Sequence, residues 1–191
     1  MKVKQSMLIA AITLAVLSIG PRNNVAADEE QSTYPCVSAS YGGRYFFKMI
    51  PGAKDYYGHD SGSGVMCAIN RDGSITELWR VSGWYAFQTF PSYDGDCLVR
   101  LGNWPRGRRP LGEHLAVAFY KKGELVKQYS TIDLIKDQSK VQSSVSHYQY
   151  QDRVPGFNGY THTFTLVTVD LVQYDFDART GAITAWKKLD R

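Results

Sequence analysis

Between short glycine turns this chain repeats one pattern, apolar and polar residues in alternation, and that pattern confines it to antiparallel sheets. Arg44-Tyr-Phe-Phe-Lys-Met49 places Tyr45, Phe47 and Met49 on one face, and Asp96-Cys-Leu-Val-Arg-Leu101 does the same with Cys97, Val99 and Leu101. Period-two alternation bounded by turn residues marks a strand with one buried face. The turns are Gly42-Gly43, Asp72-Gly73, Asp94-Gly95, Lys122-Gly123 and Thr180-Gly181. Glycine supplies the positive φ that tight hairpins require.

The pieces recur at a spacing near 50 residues. Tyr41-Gly-Gly-Arg-Tyr-Phe-Phe-Lys-Met49 parallels Tyr93-Asp-Gly-Asp-Cys-Leu-Val-Arg-Leu101, 52 positions on. Arg71-Asp-Gly-Ser-Ile75 parallels Lys121-Lys-Gly-Glu-Leu125 and, in a third copy, Arg179-Thr-Gly-Ala-Ile183. A fixed period of this size points to one supersecondary unit used about three times. Each unit reads as four strands. The second covers 84–90, 96–101, 115–120 and 125–129, and the third 145–150, 163–169, 172–177 and 182–187. The first opens weakly near Tyr34, because Pro35 lacks the N–H a ladder needs. One helix is predicted over 131–142, where Ser130 and Asp133 form a capping box. The expected fold is therefore all-β: about three four-stranded antiparallel repeats, propeller-like blades or a sandwich, with one short helix.

These units, each with a "DG"-type turn before its last strand, resemble the blades of secreted bacterial β-propellers. The resemblance implies radial packing of sheets and assigns no functional residue. Three units fall short of the usual ring of about four to eight blades. Closure then requires an oligomer, or else the units pack as a sandwich or open barrel.

The first 27 residues read differently. Lys2 and Lys4 precede an apolar run from Met7 to Ile19, and Val25-Ala-Ala27 offers small residues before Asp28. Charge, apolar run and small-residue exit in that order describe a secretory signal peptide. The run of about 13 residues is short of the roughly 20 needed to span a bilayer. Residues 1–27 are thus read as signal, and 28–191 as one β-repeat domain, secreted or periplasmic, with no further span. Lys2, Lys4 and Arg22 lie in the signal with no acid, so the formal charge of +4 falls to +1 for the remainder. Net charge gives no general affinity for nucleic acid.

Cys36, Cys67 and Cys97 are an odd set, so this is not a disulfide scaffold. Cys36 and Cys67 on the first and third strands of one unit would stand about 9–10 Å apart. A disulfide needs Cα atoms within about 7 Å. Cys97 shares its face with Val99 and Leu101 and is read as a buried, inert thiol.

In up-and-down units the long connections gather at one end. They are 50–64, 102–114 and the helical stretch 131–142. Long loops on a rigid sheet are a common way to present a site. The first offers Tyr56, Tyr57, His59 and Asp60; the second offers Trp104, Arg106, Arg108, Arg109, Glu113 and His114. Arginine forks bind carboxylate, sulfate or phosphate through paired hydrogen bonds, and a tryptophan ring stacks on a sugar. Together they suit an anionic glycan or the acidic patch of a protein partner, and the leading expectation is an exported binding or interaction module. The rival is an extracellular hydrolase or lyase that uses His59, Asp60, Glu113 and His114 as acid–base groups. No HExxH pair, GxSxG frame or phosphate-binding glycine loop occurs, so no metal and no cofactor is expected. His147 and His162 read as structural, and the aromatic strand 84–90 as core before glycan platform.

Overall fold

A computed structural model describes residues 32–52 and 61–190. Residues 1–27, read above as a signal peptide, lie outside the described residues, as do Tyr56, Tyr57, His59 and Asp60. Three four-stranded antiparallel sheets follow one another along the chain, each in simple up-and-down order, and none closes into a ring or barrel. Sheet one is β1 (Cys36–Ala39), β2 (Tyr45–Ile50), β3 (Ser63–Ile69) and β4 (Ile75–Ser82); sheet two is β5 (Thr89–Pro91), β6 (Cys97–Leu101), β7 (Leu115–Lys121) and β8 (Glu124–Ser130). A single helical turn, α1 (Thr131–Leu134), and a small ribbon of β9 (Gln142–Ser143) and β10 (Tyr148–Gln149) lead to sheet three. That sheet is β11 (Gly156–Phe157), β12 (Thr163–Val167), β13 (Val172–Asp177) and β14 (Ala182–Lys188).

The repeat read from the sequence is physical. The last ladder of each sheet skips one residue of its outer strand, Leu78, Val126 or Thr184, near the glycine turn. Two of those turns also fasten neighbours together. Gly123 has φ +92°, and a Cβ there would lie 2.7 Å from the Arg80 carbonyl of sheet one. Gly181 likewise approaches Lys127 of sheet two, and its carbonyl accepts a 2.8 Å hydrogen bond from Tyr129.

Two apolar layers hold the sheets face to face. Phe47, Met49 and Met66 of sheet one pack with Leu98, Ala118 and Tyr120 of sheet two, sealed by Trp84 and Tyr85. Val99, Val117 and Phe119 on the other face of sheet two pack with Phe164, Leu166, Tyr174 and Phe176 of sheet three. At the tight-turn end Tyr160 meets Tyr41 and Tyr93 edge-on, at 4.7 and 5.9 Å between centroids. His162 Nε2 lies 2.8 Å from Asp94 Oδ2.

Three boundaries differ from the sequence reading. The helix over 131–142 lasts one turn. Its capping box forms, but Ile135 is already extended (φ −78°, ψ 112°), and a separate 3₁₀ turn covers Gln138–Lys140. The cause is Asp170, 1% exposed, whose Oδ2 accepts the Lys136 and Asp137 N–H groups at 2.9 Å each and so pulls the chain out of the helix. The third sheet opens at β11 and not at 145–150. The strand predicted over 84–90 narrows to β5, because Trp84, Tyr85 and Ala86 plug the first apolar layer.

The three cysteines are free thiols. Pairing of Cys36 with Cys67 fails on face as well as distance. Cys36 sits opposite Met49, whose partner is Gly64, whereas Cys67 sits opposite Phe46 on the reverse face. Cys97 is fully buried, and burial pushes its thiol up to about 11.

Candidate binding groove

Two of the long connections, 102–114 and the stretch that begins at Thr131, meet at one end of sheet two, and hydrogen bonds pin them there. The loop 102–114 starts at Gly102, where a Cβ would strike the Leu115 carbonyl. Asn103 then clamps the loop to the aromatic segment, its Nδ2 donating to the Tyr85 carbonyl at 3.0 Å and its Oδ1 accepting the Phe87 N–H at 3.2 Å. Further along, Tyr148 N–H donates to the Pro105 carbonyl at 3.2 Å and Gly107 N–H to the Ser146 carbonyl at 2.8 Å. The Tyr148 hydroxyl lies 2.6 Å from Thr131 Oγ1 and 2.9 Å from His114 Nδ1. The buried Tyr150 hydroxyl donates to the carbonyls of Gly102 and Ala116.

This scaffold presents a row of rings. Phe87 and Trp104 stack with centroids 5.4 Å apart and planes 21° from parallel, and Tyr34 lies 6.1 Å from Phe87, its plane tilted by 52°. Tyr34 is fixed through its backbone. Its N–H and carbonyl both bond the hydroxyl of Tyr85, a side chain whose burial raises its own pKa to about 12. Trp104 and Tyr34 remain 44% and 46% exposed, so each offers a ring face or edge to solvent.

The row floors a groove made of two adjoining clefts. One, of about 720 Å³, runs from Trp104 and Asn103 past Phe87 to His147 and Gln151. The other, of about 540 Å³, continues between the inner strands β1 and β5 and the segment 149–154. They share Tyr34, Phe87, Gln88, Gln149 and Gln151. A smaller cleft of about 480 Å³ lies beyond Trp104, against Arg106, Glu113 and His114. His147 Nε2 and Gln151 Oε1 are buried in the groove wall without a hydrogen-bond partner among the described residues. Leaving such a group unmade costs about 1–3 kcal/mol.

The residues singled out in the sequence divide accordingly. Trp104 is the wall between the clefts, and Arg106 lines the smaller one with its backbone bridged to His147. Arg108 and Arg109 are exposed on the same loop, outside the clefts. His114 is a clasp of the scaffold: its Nδ1 meets Tyr148, and its Nε2 is 4.0 Å from an exposed Glu113 carboxylate. Among the described residues no group of three His, Cys, Asp or Glu side chains could hold a metal, and no helix is long and apolar enough to cross a membrane.

Tyr34, Gln149 and Gln151 escape the sequence reading, and Phe87 and Gln88 lie in the run 84–90, which it takes as core before glycan platform. Tyr34 had registered only as a weak strand opening, and Phe87 follows three core residues. The one available signal was the aromatic run 84–90, whose alternation does not reveal which ring turns outward. No protein-family model matches the sequence, and no curated protein does.

Proposed function

We propose that this chain is an exported binding module that holds an anionic glycan at the loop-rich end of three sheets arranged like propeller blades. The observation that carries the reading is Trp104. Its half-exposed ring lies flat on Phe87 at the junction of two clefts, on a loop that also bears Arg106, Arg108 and Arg109. A sugar face stacks on the ring while guanidinium forks reach its acidic groups. Each exposed charge contact is worth about 0–1 kcal/mol, so affinity comes from several acting together and falls as salt screens them. The signal-like pattern of residues 1–27 supports export, and with it a ligand outside the cytoplasm.

The experiment compares the parent with Arg108→Ala/Arg109→Ala and Trp104→Ala for binding to soluble acidic polysaccharides at low and moderate salt. The reading expects the double variant to lose most of the salt-sensitive affinity and Trp104→Ala to weaken binding at both salts. Unchanged binding by both variants to a glycan that the parent holds removes this loop from the site.

A further inference from the structure

Beyond the arginine loop, the groove has a chemistry of its own. Its floor is the ring row Tyr34, Phe87 and Trp104. Its walls carry the amides Gln88, Gln149 and Gln151, and among the described residues that line it the only full charges are Asp152 and Arg153, whose side chains pair at 3.3 Å. A lining of flat rings and neutral groups that both donate and accept does not select for charge. It complements a molecule with apolar C–H faces and many hydroxyls.

We propose that the groove between β1, β5 and residues 149–154 binds the neutral, extended backbone of a polysaccharide, several sugars long, with the acidic substituents left to the arginine loop. The inference rests on the glycan reading above and specifies how that glycan is held. Three observations support a chain of sugars over a single small molecule. The two clefts are continuous through Tyr34, Phe87, Gln88, Gln149 and Gln151. Each, at about 720 and 540 Å³, is by itself the size of an ordinary ligand site. Trp104 stacks on Phe87 and Tyr34 tilts against it, at 5.4 and 6.1 Å between centroids, and Tyr34 and Phe87 line both clefts, so aromatic surface runs on from one cleft into the other. The platform is also preorganised: Asn103 and Tyr85 hold its backbone in place before any ligand arrives, which limits the ordering cost of binding. Gln151 Oε1 and His147 Nε2 supply unspent hydrogen-bonding capacity in the same wall. A hydroxyl that reaches either after a small side-chain rotation relieves a cost the unliganded protein already bears.

The test uses neutral β-1,4-linked oligosaccharides of increasing length, followed by calorimetry on the full exported chain at low and moderate salt. The expected result is affinity that rises with length up to a plateau and is insensitive to salt. Tyr34→Ala and Gln151→Ala should each weaken it about tenfold or more, and Arg108→Ala/Arg109→Ala should leave it unchanged. Circular dichroism and thermal melting confirm that the variants fold, and Gln151→Ala tests the groove should Tyr34→Ala fail to fold. Salt-sensitive binding of acidic polymers that both groove variants retain would overturn the groove assignment while leaving the arginine-loop reading intact. Neutral binding that survives loss of the arginines, with no affinity for acidic polymers, would uphold the groove and remove the anionic reading. Binding of neither class, or displacement of the sugar by an unrelated extended peptide, would overturn the groove assignment.

Discussion

On the face of sheet three that points away from sheet two, Thr165 Oγ1 donates a 2.7 Å hydrogen bond to Asp175 Oδ1 across a β12–β13 pair. The same register position holds Val99 opposite Phe119 in sheet two and Phe47 opposite Met66 in sheet one, both buried against the following sheet. Gln173 Nε2 also reaches Asp175, at 3.2 Å from Oδ1. A polar outer face is what a terminal repeat needs to stay soluble, and sheet three carries such a face where the two preceding sheets carry apolar ones.

This polar face makes a direct prediction. Thr165→Val with Asp175→Leu restores the apolar character of the two preceding sheets on an uncovered face. The double variant should self-associate with rising concentration by sedimentation velocity, well beyond the parent, while unfolding changes by about 1 kcal/mol or less. A variant no more associated than the parent would mean that this face is not what terminates the array.

Asp170 offers a second. Its carboxylate accepts two backbone N–H groups and the Thr168 hydroxyl while almost wholly buried. Asp170→Ala orphans those donors and should cost about 2–4 kcal/mol in urea unfolding. The segment after α1 should lose hydrogen-exchange protection first. A loss below about 1 kcal/mol would show that water replaces the carboxylate freely.

The sheets were legible in the sequence, and the connections were not, for a physical reason. Strand alternation and glycine turns are local signals, so Phe47, Val99 and Phe164 announce their sheets. Tyr148 and Tyr150 alternate just as well, yet they are buried because their hydroxyls reach Thr131, Gly102 and Ala116. They brace the loop 102–114, and only the Tyr148–Gln149 pair joins a ladder. The early end of the helix depends on Asp170, 34 residues from Lys136, and no local pattern encodes that. At the site, Trp104 stood out by type, whereas Tyr34 and Gln151 belong to the groove only because three distant segments meet there.

The Asp94–His162 contact joins sheet two to sheet three and gives a pH prediction. Burial by itself would raise the Asp94 carboxyl, but the Ser92 hydroxyl, the Asp96 N–H and His162 outweigh it and hold the pKa below the usual carboxylate range. A depressed folded pKa contributes stability that is present above the unfolded value near 4 and is lost as pH falls through the folded value. The stability gap between the parent and Asp94→Asn should therefore shrink as pH falls below about pH 4. A gap that widens over that acid range would contradict this sign.

Cys97 tests the second apolar layer. Cys97→Ser puts a hydroxyl among Val99, Leu101 and their neighbours and should destabilise by about 1–3 kcal/mol. In the native protein its thiol, pushed up to about 11 by burial, should label far more slowly than after unfolding. Rapid native labelling would mean that this face opens readily.

The central claim is that the ring row beneath the loop-rich end is where this protein binds its ligand. The most direct measurement is an array of acidic and neutral glycans probed with the parent and with Trp104→Ala, the variant first shown to melt like the parent. The account predicts a defined glycan class bound by the parent, with signals at least about tenfold weaker for Trp104→Ala. A parent that binds a glycan class which the variant holds equally well would contradict it.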